Sequence, residues 1–187
     1  MKNKVLCSSI RIITVLVLAL GTSVLAQAPK HMHFRGVIND YTPVVGTTGP
    51  WEVRGPWTLT LNDRSGKADF SAAVTMELSD FSLSSSTITT SARMQHTHHL
   101  TVEGGTFKLI ANGFEVIGPV TITKDGGSAP AALQGSSLVI DVTGGALVEF
   151  SNITLTFENG ATAHFGSNPI HGVVREAKES RHDDEHR

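Results

Sequence analysis

Phe70-Ser71-Ala72-Ala73-Val74-Thr75-Met76-Glu77-Leu78 alternates strong apolar side chains with polar or small ones from end to end. Successive side chains of a β-strand point to opposite faces, so Phe70, Ala72, Val74, Met76 and Leu78 form one apolar row, and no helical spacing collects them as well. The stretch predicts a half-buried antiparallel strand. Working outward, the same alternation appears in Trp57-Thr58-Leu59-Thr60-Leu61, in Phe114-Glu115-Val116 continuing to Val120-Thr121-Ile122, and in Leu138-Val139-Ile140-Asp141-Val142. Strand signals run from about residue 32 to residue 174. Between them lie Asn62-Asp63-Arg64-Ser65-Gly66, Glu103-Gly104-Gly105, Asn112-Gly113, Lys124-Asp125-Gly126-Gly127, Thr143-Gly144-Gly145 and Glu158-Asn159-Gly160. These residues tolerate the positive φ of tight hairpins. The fold class that follows is all-β: a single antiparallel β-sandwich or small β-barrel. Two segments interrupt the pattern. Val148 and Phe150 have the opposite parity to Ile153, Leu155 and Phe157, which predicts a β-bulge near Ser151-Asn152. Residues 82–91 are rich in Ser and Thr and predict a long loop or weak edge strand.

The ends of the chain carry other signals. Lys2, Lys4 and Arg11 lead into the apolar run Ile12-Ile13-Thr14-Val15-Leu16-Val17-Leu18-Ala19-Leu20, followed by Val24-Leu25-Ala26. That pattern predicts a secretory signal peptide over residues 1–26, and hence a secreted product, periplasmic or extracellular. The run is shorter than the roughly 20 residues of a spanning helix, and no later stretch approaches that length, so no membrane span is expected in the mature chain. Cys7, the one cysteine, leaves with the leader. Without disulfides the mature chain must rely on a hydrophobic core, and roughly 160 residues suffice for one domain, read as residues 27–174. Residues 175–187 are almost wholly charged and predict a disordered tail. The formal net charge of −2 becomes more negative once the three leader cations are removed, which argues against nucleic acid as a partner.

The stretch with chemical content is Met94-Gln95-His96-Thr97-His98-His99-Leu100-Thr101-Val102-Glu103. Strand parity sets His96 and His98 beside Met94, Leu100 and Val102 on the buried face, whereas Gln95, Thr97, His99, Thr101 and Glu103 share the other. Two inward imidazoles need hydrogen-bond partners or a metal ion, and an i, i+2 pair presents two nitrogens that one Zn²⁺ or Cu²⁺ can bridge. A slip of one residue would instead turn the pair to solvent, and buried rings bonded to neighbours would be purely structural. A metal site needs further ligands. His164 and His171 flank Phe165-Gly166-Ser167-Asn168-Pro169, a turn-like segment able to bring both rings to one place, and Glu103 is another candidate. His31 and His33 share parity with Arg35, opposite to Met32, Phe34 and Ile38, and are expected to face water. His182 and His186, four apart in the tail, are expected to be solvated.

The run His96-x-His98-x-x-x-x-Glu103 resembles the ligand core of the first cupin motif, which implies a β-barrel and a metal held by those three side chains. The resemblance departs from that motif at Thr90 and Ile110, where glycines stand in cupins, and no second motif follows. Trp51 and Trp57, the only tryptophans, follow an echoed Gly-Pro and share one side of a strand. Exposed, they would form a platform for a flat small-molecule ligand; buried, they would anchor the core. There is no Gly-x-Ser-x-Gly elbow, no cysteine nucleophile and no phosphate-binding Gly-Lys-Ser or Gly-Lys-Thr loop. The functional expectation is a secreted binding protein with a histidine-rich transition-metal site. The alternatives are a metal-dependent enzyme of cupin-like type and an interaction module without a site.

Overall fold

Where inward apolar residues alternate without interruption, the chain is extended. The computed structural model describes residues 31–42, 50–62, 64–78, 81–84, 87–90, 95–128, 131–144 and 151–179. Strands β1 (His31–Thr42), β2 (Trp51–Asn62) and β3 (Lys67–Leu78) come first, followed by a hairpin of β4 (Phe81–Ser84) and β5 (Thr87–Thr90). Then come β6 (Gln95–Ile110), β7 (Gly113–Lys124), the two-residue β8 (Gly127–Ser128), β9 (Ser136–Thr143) and β10 (Asn152–Glu158). A short helix α1 (Thr162–Phe165) precedes the last strand, β11 (Ile170–Glu179).

Ladder pairing resolves the choice between sandwich and barrel. Each long strand pairs antiparallel with the next, in the order β1-β2-β3-β6-β7-β9-β10-β11. β11 returns to pair with β1, so the ring is a closed eight-stranded up-and-down barrel. Among the described residues, closure leaves none of these eight strands as a free sheet edge. An eight-stranded barrel is just wide enough to be filled by side chains. Ile38, Trp57, Leu59, Phe70, Leu100, Ile122, Leu138, Ile140, Ile153 and Leu155 fill it and are almost wholly removed from water. The largest of these, Trp57, lies over β1 at Gly36. A Cβ there would overlap the Val173 carbonyl oxygen and stand 2.8 Å from the indole, so glycine is what lets the ring and backbone approach.

Several sequence expectations are corrected. Glu103-Gly104-Gly105 is not a hairpin turn. β6 runs through it, with a register shift against β7 between Thr101 and Thr106, and Gly104 takes φ 61° while its N–H donates to Asp69 Oδ1 at 2.7 Å. Positive-φ glycines serve a bulge as well as a turn, and a long strand coiling round a barrel uses bulges to bend. Glu158-Asn159-Gly160 opens a 3-10 turn (Asn159–Ala161) leading into α1, not a hairpin. Among the described residues β4 and β5 pair with each other and with no barrel strand, so the segment expected to be a loop or weak edge strand holds a separate hairpin. Arg175 to Glu179, expected in the tail, complete β11, because β1 pairs with them and Arg35 forms an ion pair with Glu176. Ile153, Leu155 and Phe157 face inward as read, but the bulge expected beside them depends on Val148 and Phe150, which lie outside the described residues. So do the leader, Met94, His182 and His186. Among the described residues no helix is long and apolar enough to cross a membrane.

Candidate metal centre

β6 enters the barrel wall beside the end of β3, with His96 opposite Met76 and His98 opposite Val74. Because Met76 and Val74 are core residues, their register partners inherit the inward face. His98 retains only 2% of its exposure, and His96 is half-buried closer to the rim. Exposed His99 turns outward and meets Asp125, Nε2 to Oδ1 2.8 Å.

The third imidazole comes from the β10–β11 connection. Ala161 is buried and its N–H donates to Ser136 Oγ at 2.8 Å, which ties the connection to the start of β9. One turn later, Phe165 is fully buried and stacks on Phe157 of β10, with ring centroids 4.2 Å apart and planes 9° from parallel. These two anchors fold α1 across the barrel mouth and aim His164 at β6. His164 Nε2 lies 2.8 Å from His98 Nε2 and 3.2 Å from His96 Nε2, and the ligand atoms of the three rings all lie within 4.8 Å of one another. The surround is largely aromatic. Trp51 meets His96 edge-on at 5.2 Å, and Phe165 lies 5.3 Å from His98 and 5.0 Å from His164.

Burial makes the charged form of these rings costly. It pushes the His98 pKa down to about 4, with the neighbouring His164 and His96 charges acting in the same direction. His96 is lowered by burial and then by the Lys124 ammonium, and His164 by burial and then by His96. The three rings are therefore neutral at physiological pH, which is the form that ligates metals. His98 Nδ1 is buried without a well-formed hydrogen bond, although the adjacent Thr123 backbone weakly favours the protonated ring.

The other sequence candidates are placed elsewhere. Glu103 follows Val102 onto the exposed outer wall, where it lines a shallow groove with Thr58, Thr60, Asp69 and Ser71; the third ligand of the cupin-like reading does not reach the histidines. His171 is exposed and its Nδ1 lies 2.7 Å from Asp40 Oδ2, so only His164 of the flanking pair joins β6. Trp51 and Trp57 do share a side of β2, but it is the inner one: both are buried, and no exposed platform exists between them. His31 is half-buried and His33 exposed, the latter beside Thr60 Oγ1. Sequence reasoning did not single out Lys124, which carries the parity of inward Val120 and Ile122 to the exposed rim and pairs with His98 across the β6–β7 ladder.

Three neutral imidazoles converging on one point could hold a metal ion. With Zn–N bonds of about 2.0–2.1 Å and tetrahedral angles, ligand nitrogens stand about 3.3 Å apart. The 2.8 and 3.2 Å separations are already close to that spacing, and the third side, within 4.8 Å, would close by up to about 1.5 Å on binding. The chain matches no family model, no curated protein and no solved structure.

Proposed function

We propose that this chain is an exported metal-binding protein whose barrel presents His96, His98 and His164 to one transition-metal ion, Zn²⁺ or Cu²⁺. The observation that carries the reading is the convergence of three ring nitrogens from β6 and α1 at one barrel mouth. Imidazole is a borderline ligand that suits both ions. Export is supported by the leader pattern at residues 1–26.

A three-ligand set also supports a second reading, a metal-dependent enzyme, because catalytic zinc sites typically combine three protein ligands with an open position for water or substrate. The expected result for the untagged mature chain is about one ion per chain by elemental analysis after dialysis against Zn²⁺ or Cu²⁺. His98→Ala combined with His164→Ala should remove it. A wild-type chain that retains no ion would end both readings. Hydrolytic or oxidative turnover by the loaded chain, lost in the same double variant, would favour the enzyme.

A further inference from the structure

Resting on the metal reading above, we propose that the open coordination position at the His96, His98 and His164 centre takes a small anion from solution, and that Lys124 is its second point of attachment. Charge counting leads to the first half. A divalent ion held by three neutral rings keeps both of its positive charges, because no carboxylate or thiolate among the described residues joins the cluster. The wall around the rings is aromatic, with Trp51 and Phe165 in contact, and a poorly solvated ion attracts a compensating anion more strongly than one in bulk water.

Lys124 supplies the second half. It is the last residue of β7, it continues the inward parity of Val120 and Ile122, and it is the register partner of His98. As the register partner of inward-facing His98 it shares that face of the ladder, exposed at the rim, and its charge lowers the pKa of both His96 and His98. The neighbouring acid does not cancel it: Asp125 is engaged by His99 on the outer wall. Lys124 makes no ion pair among the described residues. A cationic side chain at the rim of a doubly charged ion is unfavourable unless an anion lies between them, so ion and ammonium together form a two-point anion receptor.

The test uses the mature chain loaded with Co²⁺, whose visible absorption reports its ligands, titrated with sodium azide. Azide should shift the absorption saturably. Lys124→Ala should weaken azide affinity about three- to tenfold while Co²⁺ affinity stays the same or rises, and added salt should weaken wild type more than the variant. A chain that takes up no Co²⁺ would overturn the metal reading itself. Co²⁺ binding with a spectrum that azide never moves would overturn the anion proposal alone. Equal azide affinity in wild type and Lys124→Ala would remove Lys124 from it.

Discussion

His98 Nε2 stands 2.8 Å from His164 Nε2, a contact between residues 66 positions apart that joins the barrel wall to the segment crossing its mouth. The same His164 nitrogen also faces His96 Nε2. A neutral imidazole nitrogen either donates or accepts, so three of them facing one another cannot all be well matched by hydrogen bonds alone. A metal ion satisfies three lone pairs at once. His164→Ala should therefore lower Zn²⁺ affinity by more than about 100-fold while changing the stability of the metal-free chain by only about 1–2 kcal/mol. Isothermal titration with Zn²⁺ and urea unfolding measure the two effects. A large stability loss with unchanged affinity would make His164 a structural residue.

The β6 half of this site was legible because strand parity is local. Once Leu100 and Val102 are assigned inward, His98 and His96 follow at i−2 steps. The barrel's strands were legible for the same reason, from Phe70 to Leu78 outward. Barrel closure was not, since alternation is identical in a sandwich and only the β11–β1 pairing decides. His164 was one candidate of a pair, and its selection over His171 depends on α1, a four-residue helix too short for a periodic signal. Glu103 became a candidate through its spacing from His96 and His98, although strand parity already sets it opposite to them, and it stands on the outer wall. The tryptophans read as an exposed platform or as core anchors, and their burial selects the anchors, with Gly36 opposite Trp57 providing the room for the indole.

Acid should destabilise the metal-free chain through these rings. Histidine in an unfolded chain titrates near 6.5, whereas folded His98 titrates at about 4, and His96 and His164 are lowered as well. Between those values the unfolded state binds more protons than the native state, so unfolding free energy falls as pH falls. The histidine contribution is flat above about pH 7, grows through pH 6 and 5, and is complete below the folded pKa. For His98 alone the loss is on the order of 3 kcal/mol. Urea unfolding at a series of pH values checks this, and His98→Asn should flatten the slope. A chain whose stability is constant across the window would contradict the burial argument.

Gly36→Ala tests the packing that fills the barrel. The added methyl would overlap the Val173 carbonyl oxygen and crowd the Trp57 ring, neither of which can retreat: one belongs to the β11 ladder, and the other is 1% exposed against Phe70. A destabilisation of about 3 kcal/mol or more is expected, above the usual range for an overpacked core because backbone must move as well. Chemical denaturation of the variant measures it. Gly126→Ala is a useful comparison, since its Cβ would meet nothing, although its φ of 83° carries a smaller backbone cost.

Phe165→Ala separates the scaffold of the site from its ligands. Phe165 makes no metal bond, yet its stacking on Phe157 and its contact with His98 are what seat α1 over the mouth. Truncating a fully buried phenylalanine costs about 3–5 kcal/mol when the surroundings cannot collapse. Here part of that loss can be avoided by letting α1 lift, because the helix is short and is otherwise tied through Ala161. Lifting α1 withdraws His164. The variant should therefore lose less stability than a typical core truncation, about 2 kcal/mol, and at the same time lose Zn²⁺ affinity by about tenfold or more with all three ligands still present. Saturating Zn²⁺ should restore part of the thermal stability, since an ion that binds only the seated helix pulls the equilibrium back toward it. Wild-type affinity in this variant would mean that α1 holds its position without the phenylalanine stack.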